Sequence, residues 1–427
     1  MKVAPAVSLR GDVRVPGDKS ISHRAVMLAA IADGESELRG FGRSDDTLST
    51  AGAMRALGAE IEDGPDAIRV RGLGLRGLSS PGSPIDCGNA GTLIRLLAGI
   101  LAGQQGEFDL AGDESLSRRP LERVAEPLRR MGARVATTDG HAPMRIHGGS
   151  LGPIAYESPV ASAQIKSCVL LAGLYAASGP TTVSEPAPSR DHTERMLQAC
   201  GARIETRPGR AAVWPCEQLR PLTIEIPGDF SSAAPFLAAA VMLPDAELRL
   251  HGVGVNPTRI GFLNVLERMG ARISVYNRRS AGGEPVADLE VASSELVATE
   301  IAPDEVPALI DELPIFALCA AHARGESSVR GAQELRVKES DRIESVTRAL
   351  RAIGVRIADA YDGFRVRGIP SRPQGGGVVD AGGDHRVAML GALGGLVSRE
   401  PVEIQGADCV AVSFPGFFDV LDSIAIR

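Results

Sequence analysis

One eight-residue pattern recurs along this chain and constrains its fold more than any other feature. The pattern has apolar residues at its first and fourth positions, followed by glycine, Ala or Val, any residue, and Ile or Val. It occurs at 54–61, 128–135, 197–204, 266–273 and 350–357, with its glycine at 58, 132, 201, 270 and 354. Each copy predicts the end of a helix, a glycine that caps it in the left-handed conformation, and a strand.

A second repeated signal keeps step with the first. Small or polar residues lead into apolar, Ala- and Leu-rich helices at 20–22, 91–92, 162–164, 231–232, 311–312 and 383–385. The two signals together predict six units, each with two helices and several short strands. A degenerate sixth copy of the first pattern ends the chain, with Asp422 and Ser423 in place of the glycine.

The two halves of the chain resemble each other. Pro-Gly-Asp at 16–18 leads into an apolar helix, and Pro-Gly-Asp at 227–229 does the same. Since a period near 70 residues is longer than that of solenoid repeats, we expect a duplicated domain with three units in each copy rather than an open array. The segment 220–228, which carries two prolines and a glycine, is the expected crossover. The predicted fold class is α/β with two domains.

Composition narrows the class of protein. The 427 residues carry a net charge of −7 with dispersed cations, which argues against a nucleic-acid partner. The six cysteines have neither CxxC spacing nor a secreted disulfide framework, so we expect reduced thiols in a cytoplasmic protein. The N-terminus does not resemble a signal peptide, and no apolar run reaches the ~18 residues of a membrane span.

Lysine is rare in this chain. Only four of its 46 basic residues are lysine, and Lys19, Lys166 and Lys338 lie in short polar segments that are typical of one anion-binding site. A compact, titratable ammonium differs from the planar guanidinium, so its retention predicts a chemical role. Chance placement is the alternative, and for Lys166 a structural ion pair is as good an interpretation.

Charged and polar residues cluster near the predicted helix starts. They are Lys19 and Arg24, Asn89 and Arg95, Lys166, Asp311 and Glu312, and Asp384, His385 and Arg386. A helix start offers free N–H groups and the positive end of the dipole, which bind phosphates and carboxylates. The alternative is that each polar residue only caps its helix.

Five ordered motifs resemble those of the 5-enolpyruvylshikimate-3-phosphate synthase (EPSP synthase) family. They lie at 16–24 (PGDKSISHR), 88–92 (GNAGT) with Arg95, 117–121 (SRRPL), 336–342 (RVKESDR) and 384–389 (DHRVAM). The resemblance runs from about residue 10 to about residue 420. Its five motifs in one order make it more specific than any single motif.

The resemblance implies a two-domain inside-out α/β barrel of six units, whose chain crosses between domains twice. Residues 1–19 and 227–427 would form one discontinuous domain and residues 20–226 the other, with the active site in the cleft between them. The implied reaction transfers the enolpyruvyl group of phosphoenolpyruvate to the 5-hydroxyl of shikimate 3-phosphate and releases phosphate, in the shikimate pathway to chorismate and aromatic amino acids. No cofactor or metal is implied, and a cytoplasmic monomer is expected.

The resemblance also implies roles for individual residues. Catalysis would involve Lys19, Asp311 and Glu339. Shikimate 3-phosphate would be bound by Lys19, Ser20, Arg24, Ser162, Ala163, Gln164, Arg190, Asp311 and Lys338. Phosphoenolpyruvate would be bound by Lys19, Asn89, Gly91, Arg119, Gln164, Arg342 and Arg386.

Two other functions fit parts of the sequence. The sister enolpyruvyl transferase that acts on UDP-N-acetylglucosamine typically has Lys-Asn where Lys19 and Ser20 stand, and it has a loop cysteine near 115–119 that is missing here. A non-catalytic anion-binding scaffold would have no need to retain Lys19, Asp311, Glu339 and Arg342 together. One subgroup of the EPSP synthase family also carries a lysine where this chain has Val412.

Overall fold

The computed structural model describes residues 1–427 and contains thirteen α-helices. Twelve of them form six pairs along the chain, and α4 is a single turn. The helices are α1 (Lys19–Ala30), α2 (Asp45–Ala56), α3 (Gly91–Ala102), α4 (Glu114–Ser117), α5 (Glu122–Arg130), α6 (Ala163–Gly173), α7 (His192–Ala199), α8 (Phe230–Met242), α9 (Gly261–Arg268), α10 (Leu313–His322), α11 (Arg342–Ala352), α12 (His385–Val397) and α13 (Phe417–Ile424).

Twenty-four short strands alternate with these helices. They are β1 (Lys2–Val3), β2 (Ser8–Val13), β3 (Glu35–Arg39), β4 (Glu60–Asp63), β5 (Ala67–Arg71), β6 (Ile85–Asp86), β7 (Gly106–Ala111), β8 (Arg134–Thr138), β9 (His141–Gly148), β10 (Ala155–Glu157), β11 (Thr181–Ser184), β12 (Ile204–Arg207), β13 (Arg210–Val213), β14 (Thr223–Glu225), β15 (Glu247–Gly254), β16 (Arg272–Ala281), β17 (Glu284–Ala292), β18 (Glu300–Ile301), β19 (Gly325–Val329), β20 (Arg356–Ala360), β21 (Gly363–Gly368), β22 (Val378–Asp380), β23 (Val402–Gln405) and β24 (Ala425–Ile426).

The chain divides into two compact units. The first unit comprises Met1–Pro16, Gly228–Arg279 and Pro285–Arg427, and the second comprises Gly17–Pro227 with Ser280–Glu284. Residues 280–284 comprise the end of β16, the turn at Gly282 and Gly283 and the start of β17, so the chain changes unit at four points, where two were expected.

The second unit contains three four-stranded sheets that share one topology. Their strand orders are β14-β3-β5-β4, β6-β7-β9-β8 and β10-β11-β13-β12. In each sheet the first pair is parallel and the next two pairs are antiparallel. The same arrangement repeated three times is the structural form of the predicted sequence repeat.

The first unit contains sheets of five, four and three strands. Their orders are β16-β17-β15-β2-β24, β18-β19-β21-β20 and β1-β23-β22. Strand β2 lies between β15, with which it is parallel, and β24, with which it is antiparallel. The N-terminal residues therefore complete sheets whose other strands come from the C-terminal half of the chain.

Each unit is built around three helices that are buried on nearly every side. They are α1, α3 and α6 in the second unit and α8, α10 and α12 in the first. Small residues let these helices approach closely: a Cβ added to Gly99 of α3 would lie 2.2 Å from the carbonyl oxygen of Cys168 in α6.

The five repeat glycines adopt the predicted conformation. Gly58, Gly132, Gly201, Gly270 and Gly354 have φ between 86° and 105°, and each stands between a helix and the strand that follows. At the end of the chain, α13 passes into β24 through Ala425 at φ −79°, without a left-handed residue. The predicted repeat is therefore confirmed, including its degenerate last copy.

The six predicted helix starts are also confirmed. Asp18, Ser162, Asp229 and Asp384 cap α1, α6, α8 and α12 by accepting hydrogen bonds from backbone N–H groups in the first turn. The starts of α3 and α10 have no side-chain cap. No helix is long and apolar enough to cross a membrane. All six cysteines are free thiols.

Candidate active site

The N-terminus of α1 holds Lys19, the first of the predicted site residues in the second unit. Its Nζ lies 2.8 Å from Oδ2 of Asp46, near the start of α2. His23, one turn further, is buried and interacts through Nδ1 with the Thr50 hydroxyl at 2.6 Å. Burial, together with Lys19 and Arg24, lowers the pKa of His23 well below its usual range. His23 is therefore a neutral part of the packing between α1 and α2.

Arg24 is buried and is held by three oxygen atoms. Its Nε donates to the Thr193 hydroxyl at 2.7 Å, Nη1 to the Ser20 carbonyl at 2.8 Å, and Nη2 to the Ser167 hydroxyl at 2.9 Å. Burial lowers the pKa of Arg24 to about 10, so the side chain stays charged at neutral pH. Arg24 thus places a fixed positive charge beside Ser20.

Asn89, Gly91 and Arg119 meet at the start of α3. Asn89 accepts from Arg119 Nη2 and donates to Asp113 Oδ2 at 2.7 Å. A Cβ added to Gly91 would lie 2.8 Å from Arg95 Nη1 and 3.2 Å from Arg119 Nη1. The absence of a side chain at Gly91 therefore leaves room for two guanidinium groups.

Gln164 is fixed from both of its amide atoms. Its Oε1 accepts from Arg95 Nη1 at 2.9 Å, and its Nε2 donates to the Thr92 hydroxyl at 3.0 Å. Ser162 caps α6, and its backbone N–H donates to Glu185 Oε1 at 2.9 Å. The structure thus links the starts of α3 and α6, which carry Gly91, Ser162, Ala163 and Gln164.

Lys166 has a different place from the one predicted for it in an anion site. Its Nζ lies 2.8 Å from Glu194 Oε1 and 3.0 Å from Glu185 Oε2, and it donates to the Ser189 carbonyl at 3.2 Å. Only 4% of the residue is exposed. Of the two interpretations that the sequence left open for Lys166, the structure shows the ion pair, because its partners are two buried carboxylates.

In the first unit, Arg342 is buried among three carboxylates. Nε lies 2.8 Å from Asp384 Oδ2, Nη1 lies 3.3 Å from Asp311 Oδ1, and Nη2 lies 2.6 Å from Glu339 Oε2. Burial alone would lower the pKa of Arg342, but the three carboxylates outweigh it and raise that pKa. For Asp384 the directions are reversed: burial alone would raise its pKa, but the charge of Arg342 outweighs burial and lowers the pKa. One permanent cation therefore brings Asp311 and Glu339 together.

The remaining predicted residues of the first unit lie around this cluster. Lys338 Nζ is 4.0 Å from Asp311 Oδ1. Arg386 is buried and donates from Nη1 to the Ser231 carbonyl at 3.1 Å, while its Nε has no protein partner. Beside it, Glu312 is bonded to the Ser231 hydroxyl, and burial raises the pKa of Glu312 although Arg259 and Arg386 oppose this.

Several residues that hold the site were not predicted. They include Asp46 beside Lys19, Thr193 and Ser167 around Arg24, and Glu185 beside Ser162. Thr193 is 169 positions from Arg24, and nothing in the local sequence of either residue indicates the contact. The sequence indicates Ser231 only as part of a helix start, and not as a partner of Glu312 and Arg386. No group of three or more His, Cys, Asp or Glu side chains is placed to hold a metal ion.

The sequence model of the EPSP synthase (3-phosphoshikimate 1-carboxyvinyltransferase) family matches residues 3–421. This chain belongs to that family. The match covers nearly the whole chain, both units included.

Relatives with the name 3-phosphoshikimate 1-carboxyvinyltransferase support the assignment. The protein from Pelobacter propionicus is 48% identical over 424 residues, which cover 99% of this chain and 98% of the relative. The protein from Acidithiobacillus ferrooxidans is 49% identical over 417 residues, covering 97% and 95%. The predicted enzyme class, an enolpyruvyl (carboxyvinyl) transferase of the shikimate pathway, is confirmed.

Solved structures confirm the predicted α/β fold class. The EPSP synthase from Acinetobacter baumannii superimposes with a TM-score of 0.88 at 41% identity, covering 100% of this chain and 98% of that chain. The enolpyruvyl transferase NikO from Streptomyces tendae has a TM-score of 0.80 at 22% identity, covering 99% and 96%, and shares the fold.

Proposed function

We propose that this chain transfers the enolpyruvyl group of phosphoenolpyruvate to the 5-hydroxyl of shikimate 3-phosphate by addition and elimination, using the residues described above. The observation that carries the proposal is the Arg342 cluster, in which Asp311 and Glu339 both lie within 3.3 Å of one guanidinium. Addition and elimination require one group that accepts a proton and one that donates it. Asp311 is the acceptor, and the donor is Glu339 in its protonated form or the Lys19 ammonium.

Shikimate 3-phosphate binds to residues around the starts of α1 and α6 and to Asp311 and Lys338. Ser20 and Arg24 take its carboxylate, because Arg24 is a fixed charge beside Ser20. Ser162, the backbone of Ala163 and Arg190 take its phosphate, which also gains the positive end of α6. Gln164 lies against the ring, and its bonds to Arg95 and Thr92 support that orientation. Asp311 and Lys338 contact the 5-hydroxyl.

Phosphoenolpyruvate binds to Lys19, Arg119, Arg342 and Arg386, with Gln164 and the turn at Asn89 and Gly91 beside it. The buried Nε of Arg386 supports this assignment, since a ligand oxygen would satisfy it. Four of the five N–H groups of Arg342 donate hydrogen bonds to carboxylates. One N–H of Nη1 is left for a ligand. Arginines suit this role because their planar forks match carboxylate and phosphate oxygens.

In the addition step, Asp311 accepts the proton of the 5-hydroxyl while the hydroxyl oxygen forms a bond to C2 of phosphoenolpyruvate. A proton from Glu339 or Lys19 goes to the methylene carbon, which becomes a methyl group. The product of this step is a tetrahedral adduct that still carries phosphate. Lys338, next to Asp311, balances the charge of the carboxylate before the proton arrives.

In the elimination step, the methyl group returns one proton and the double bond forms again. The bond between C2 and the phosphate oxygen breaks, and the leaving phosphate receives a proton. Glu339 and Lys19 are the groups for these two transfers, one as base and the other as acid. The group that gave its proton to the methylene takes the methyl proton back. Asp311 then passes the 5-hydroxyl proton, through solvent, to the group that protonated the phosphate, so that each residue ends the cycle as it began.

A phosphate-release assay tests the proposal. With shikimate 3-phosphate and phosphoenolpyruvate together, we expect phosphate and the enolpyruvyl product in equal amounts, and no phosphate when either substrate is omitted. Turnover with UDP-N-acetylglucosamine instead would identify the sister reaction. Tight binding of both substrates without turnover would mean that the chain is an anion-binding scaffold.

We also propose that the enzyme acts as a cytoplasmic monomer without nucleic-acid or membrane partners. Six free thiols, four of them buried, support a reducing compartment. All of the proposed ligands come from one chain, so no second subunit is required. Light scattering coupled to size-exclusion chromatography measures the oligomeric state, and a dimer mass would contradict this part of the proposal.

A further inference from the structure

The ammonium group of Lys166 uses all three of its hydrogens inside the protein. It is the fourth residue of α6, and its three acceptors are Glu185 Oε2, Glu194 Oε1 and the Ser189 carbonyl, at 2.8 to 3.2 Å. An ammonium has three donors and no acceptor, so this group has no donor left for a substrate. Its role must therefore be exerted through other residues.

The three acceptors belong to one stretch of chain. They lie between the end of β11 at Ser184 and the first turn of α7, which begins at His192. The Ser189 carbonyl is part of the peptide group that joins Ser189 to Arg190. Lys166 therefore ties this stretch to α6 at three points and directly fixes the peptide group before Arg190.

Glu185 extends the network to the start of α6. Its Oε1 accepts from the Ser162 N–H at 2.9 Å and from the Ser189 hydroxyl at 2.7 Å, while its Oε2 contacts Lys166. The carboxylate thus bridges the helix start and the stretch that carries Arg190. Ser162 and Arg190 are the two side chains assigned to the phosphate of shikimate 3-phosphate.

Glu194 extends the network toward Arg24. It neighbours Thr193, whose hydroxyl accepts from Arg24 Nε and lies 2.6 Å from the Ser167 hydroxyl. Ser167 follows Lys166 in α6 and also accepts from Arg24. The ion pair therefore fixes α7 against α6 at the point where both helices hold Arg24.

The charge balance of this network depends on Lys166. The Lys166 and Glu194 side chains are 6% and 5% exposed, and that of Glu185 is 1% exposed. Burial raises the pKa of Glu194 although Lys166 opposes it. Without the ammonium, two buried carboxylates would lose the cation that they share, and Arg24 and Arg195 are cations whose charges interact with Glu194.

We propose that Lys166 is a positioning residue for shikimate 3-phosphate: its ammonium group holds Ser162, Arg190 and Arg24 in one arrangement through Glu185, Ser189 and Glu194. The inference rests on the proposed function, because it takes those three residues as the anion ligands of that substrate. It assigns Lys166 no contact with either substrate. It also explains why position 166 is a lysine and not an arginine, since a planar guanidinium does not reach three acceptors grouped around one nitrogen.

The test compares Lys166→Met, which keeps the length of the side chain, with Lys166→Arg, which keeps the charge. The Kd of shikimate 3-phosphate is measured by calorimetry, and the KM of phosphoenolpyruvate at saturating shikimate 3-phosphate. We expect Lys166→Met to raise that Kd by roughly 10- to 100-fold, as found for other residues that orient a binding group. The KM of phosphoenolpyruvate should change less than about twofold, and Lys166→Arg should fall between Lys166→Met and the wild type.

Lys2→Met is the matched control, since Lys2 is exposed in β1 and should leave both constants unchanged. A double-mutant cycle with Arg190→Ala adds a measure that a purely structural role would not affect. If Lys166 acts through Arg190, the two changes together should raise the Kd by less than the product of their separate effects.

Three outcomes would overturn the inference. The first is a folded Lys166→Met enzyme whose Kd for shikimate 3-phosphate is unchanged. The second is an equal rise in that Kd and in the KM of phosphoenolpyruvate, and the third is a Kd that only follows the folded fraction seen by circular dichroism. Each of these would mean a structural role. If Lys166→Met does not fold, Lys166→Arg decides: a folded Lys166→Arg enzyme with a wild-type Kd contradicts the inference. Failure of the proposed function is distinct, because then the wild type would not bind shikimate 3-phosphate, or Arg190→Ala would leave the Kd unchanged.

Discussion

At the scale of single residues, Asp311 is the carboxylate whose role is most open to test. It lies 3.3 Å from a buried guanidinium and 4.0 Å from the Lys338 ammonium, which fixes its position without covering it. A positioned base contributes about 10²- to 10⁴-fold to a rate. Its removal should therefore affect turnover much more than binding.

Asp311→Asn should lower kcat by roughly 100-fold or more while shikimate 3-phosphate still binds, because the amide keeps the shape but accepts no proton. Steady-state rates and calorimetric binding measure the two effects. Asp359→Asn, which changes an exposed carboxylate paired with Arg351, is the control. Lost binding with unchanged turnover at saturation would mean that Asp311 only positions the substrate.

The two site lysines permit a second residue-scale prediction. Lys19→Arg and Lys338→Arg keep the charge, but each replaces a compact ammonium beside a carboxylate with a larger planar group. Each variant should lower kcat/KM by at least ~100-fold if compactness or proton transfer is needed. Lys2→Arg should have no effect. Near-normal activity of Lys19→Arg would refute the argument from lysine rarity.

At the scale of elements, helix α2 shows two opposite uses of glycine. Gly52 lies inside the helix, where an added Cβ would have no atom within 4 Å. Gly58 follows the same helix at φ +105°, a conformation that is costly for a residue with a side chain. The same substitution at these two sites should therefore change stability in opposite directions.

Gly52→Ala should raise the free energy of unfolding by about 0.5–1 kcal/mol, since alanine is the better helix former. Gly58→Ala should lower it by about 1 kcal/mol or more, because alanine must adopt the left-handed region. Urea unfolding followed by circular dichroism measures both values, and each variant serves as the other's control. Equal effects of the two variants would contradict the assigned cap.

Elements with local causes were predictable, and those set by distant partners were not. Gly58 and its four counterparts, and helix starts such as Asp18, follow from rules that act within a few residues. The contact between Arg24 and Thr193 joins residues 169 positions apart, and tertiary packing alone creates it. The role of Lys166 stayed open for the same reason, because its partners Glu185 and Glu194 come from another part of the chain.

At the scale of the whole molecule, buried histidines make stability depend on pH. His322 in α10 has its pKa lowered to about 4, mainly by burial and also by Arg372, against an ordinary value of 6.5. Between these values the unfolded chain binds a proton that the folded chain does not. The stability contributed by neutral His322 is present above pH 6.5 and is lost as the pH falls toward 4.

His322→Gln should therefore reduce the loss of unfolding free energy between pH 7 and pH 5 by roughly 2 kcal/mol. Urea unfolding at both pH values, followed by far-ultraviolet circular dichroism, gives the difference. His147→Gln, which changes a half-exposed histidine on β9, is the control. An unchanged pH difference in His322→Gln would assign the acid sensitivity to other groups.

The position of β2 between β15 and β24 has a consequence for synthesis on the ribosome. Strand β2 leaves the ribosome near the start of translation, but its parallel partner begins only at Glu247. At about 5–20 residues per second the interval is on the order of tens of seconds, and the second unit is synthesised during that time. The nascent chain must therefore carry residues 8–13 as an unpaired strand while the second unit is synthesised, which leaves that strand open to chaperone binding.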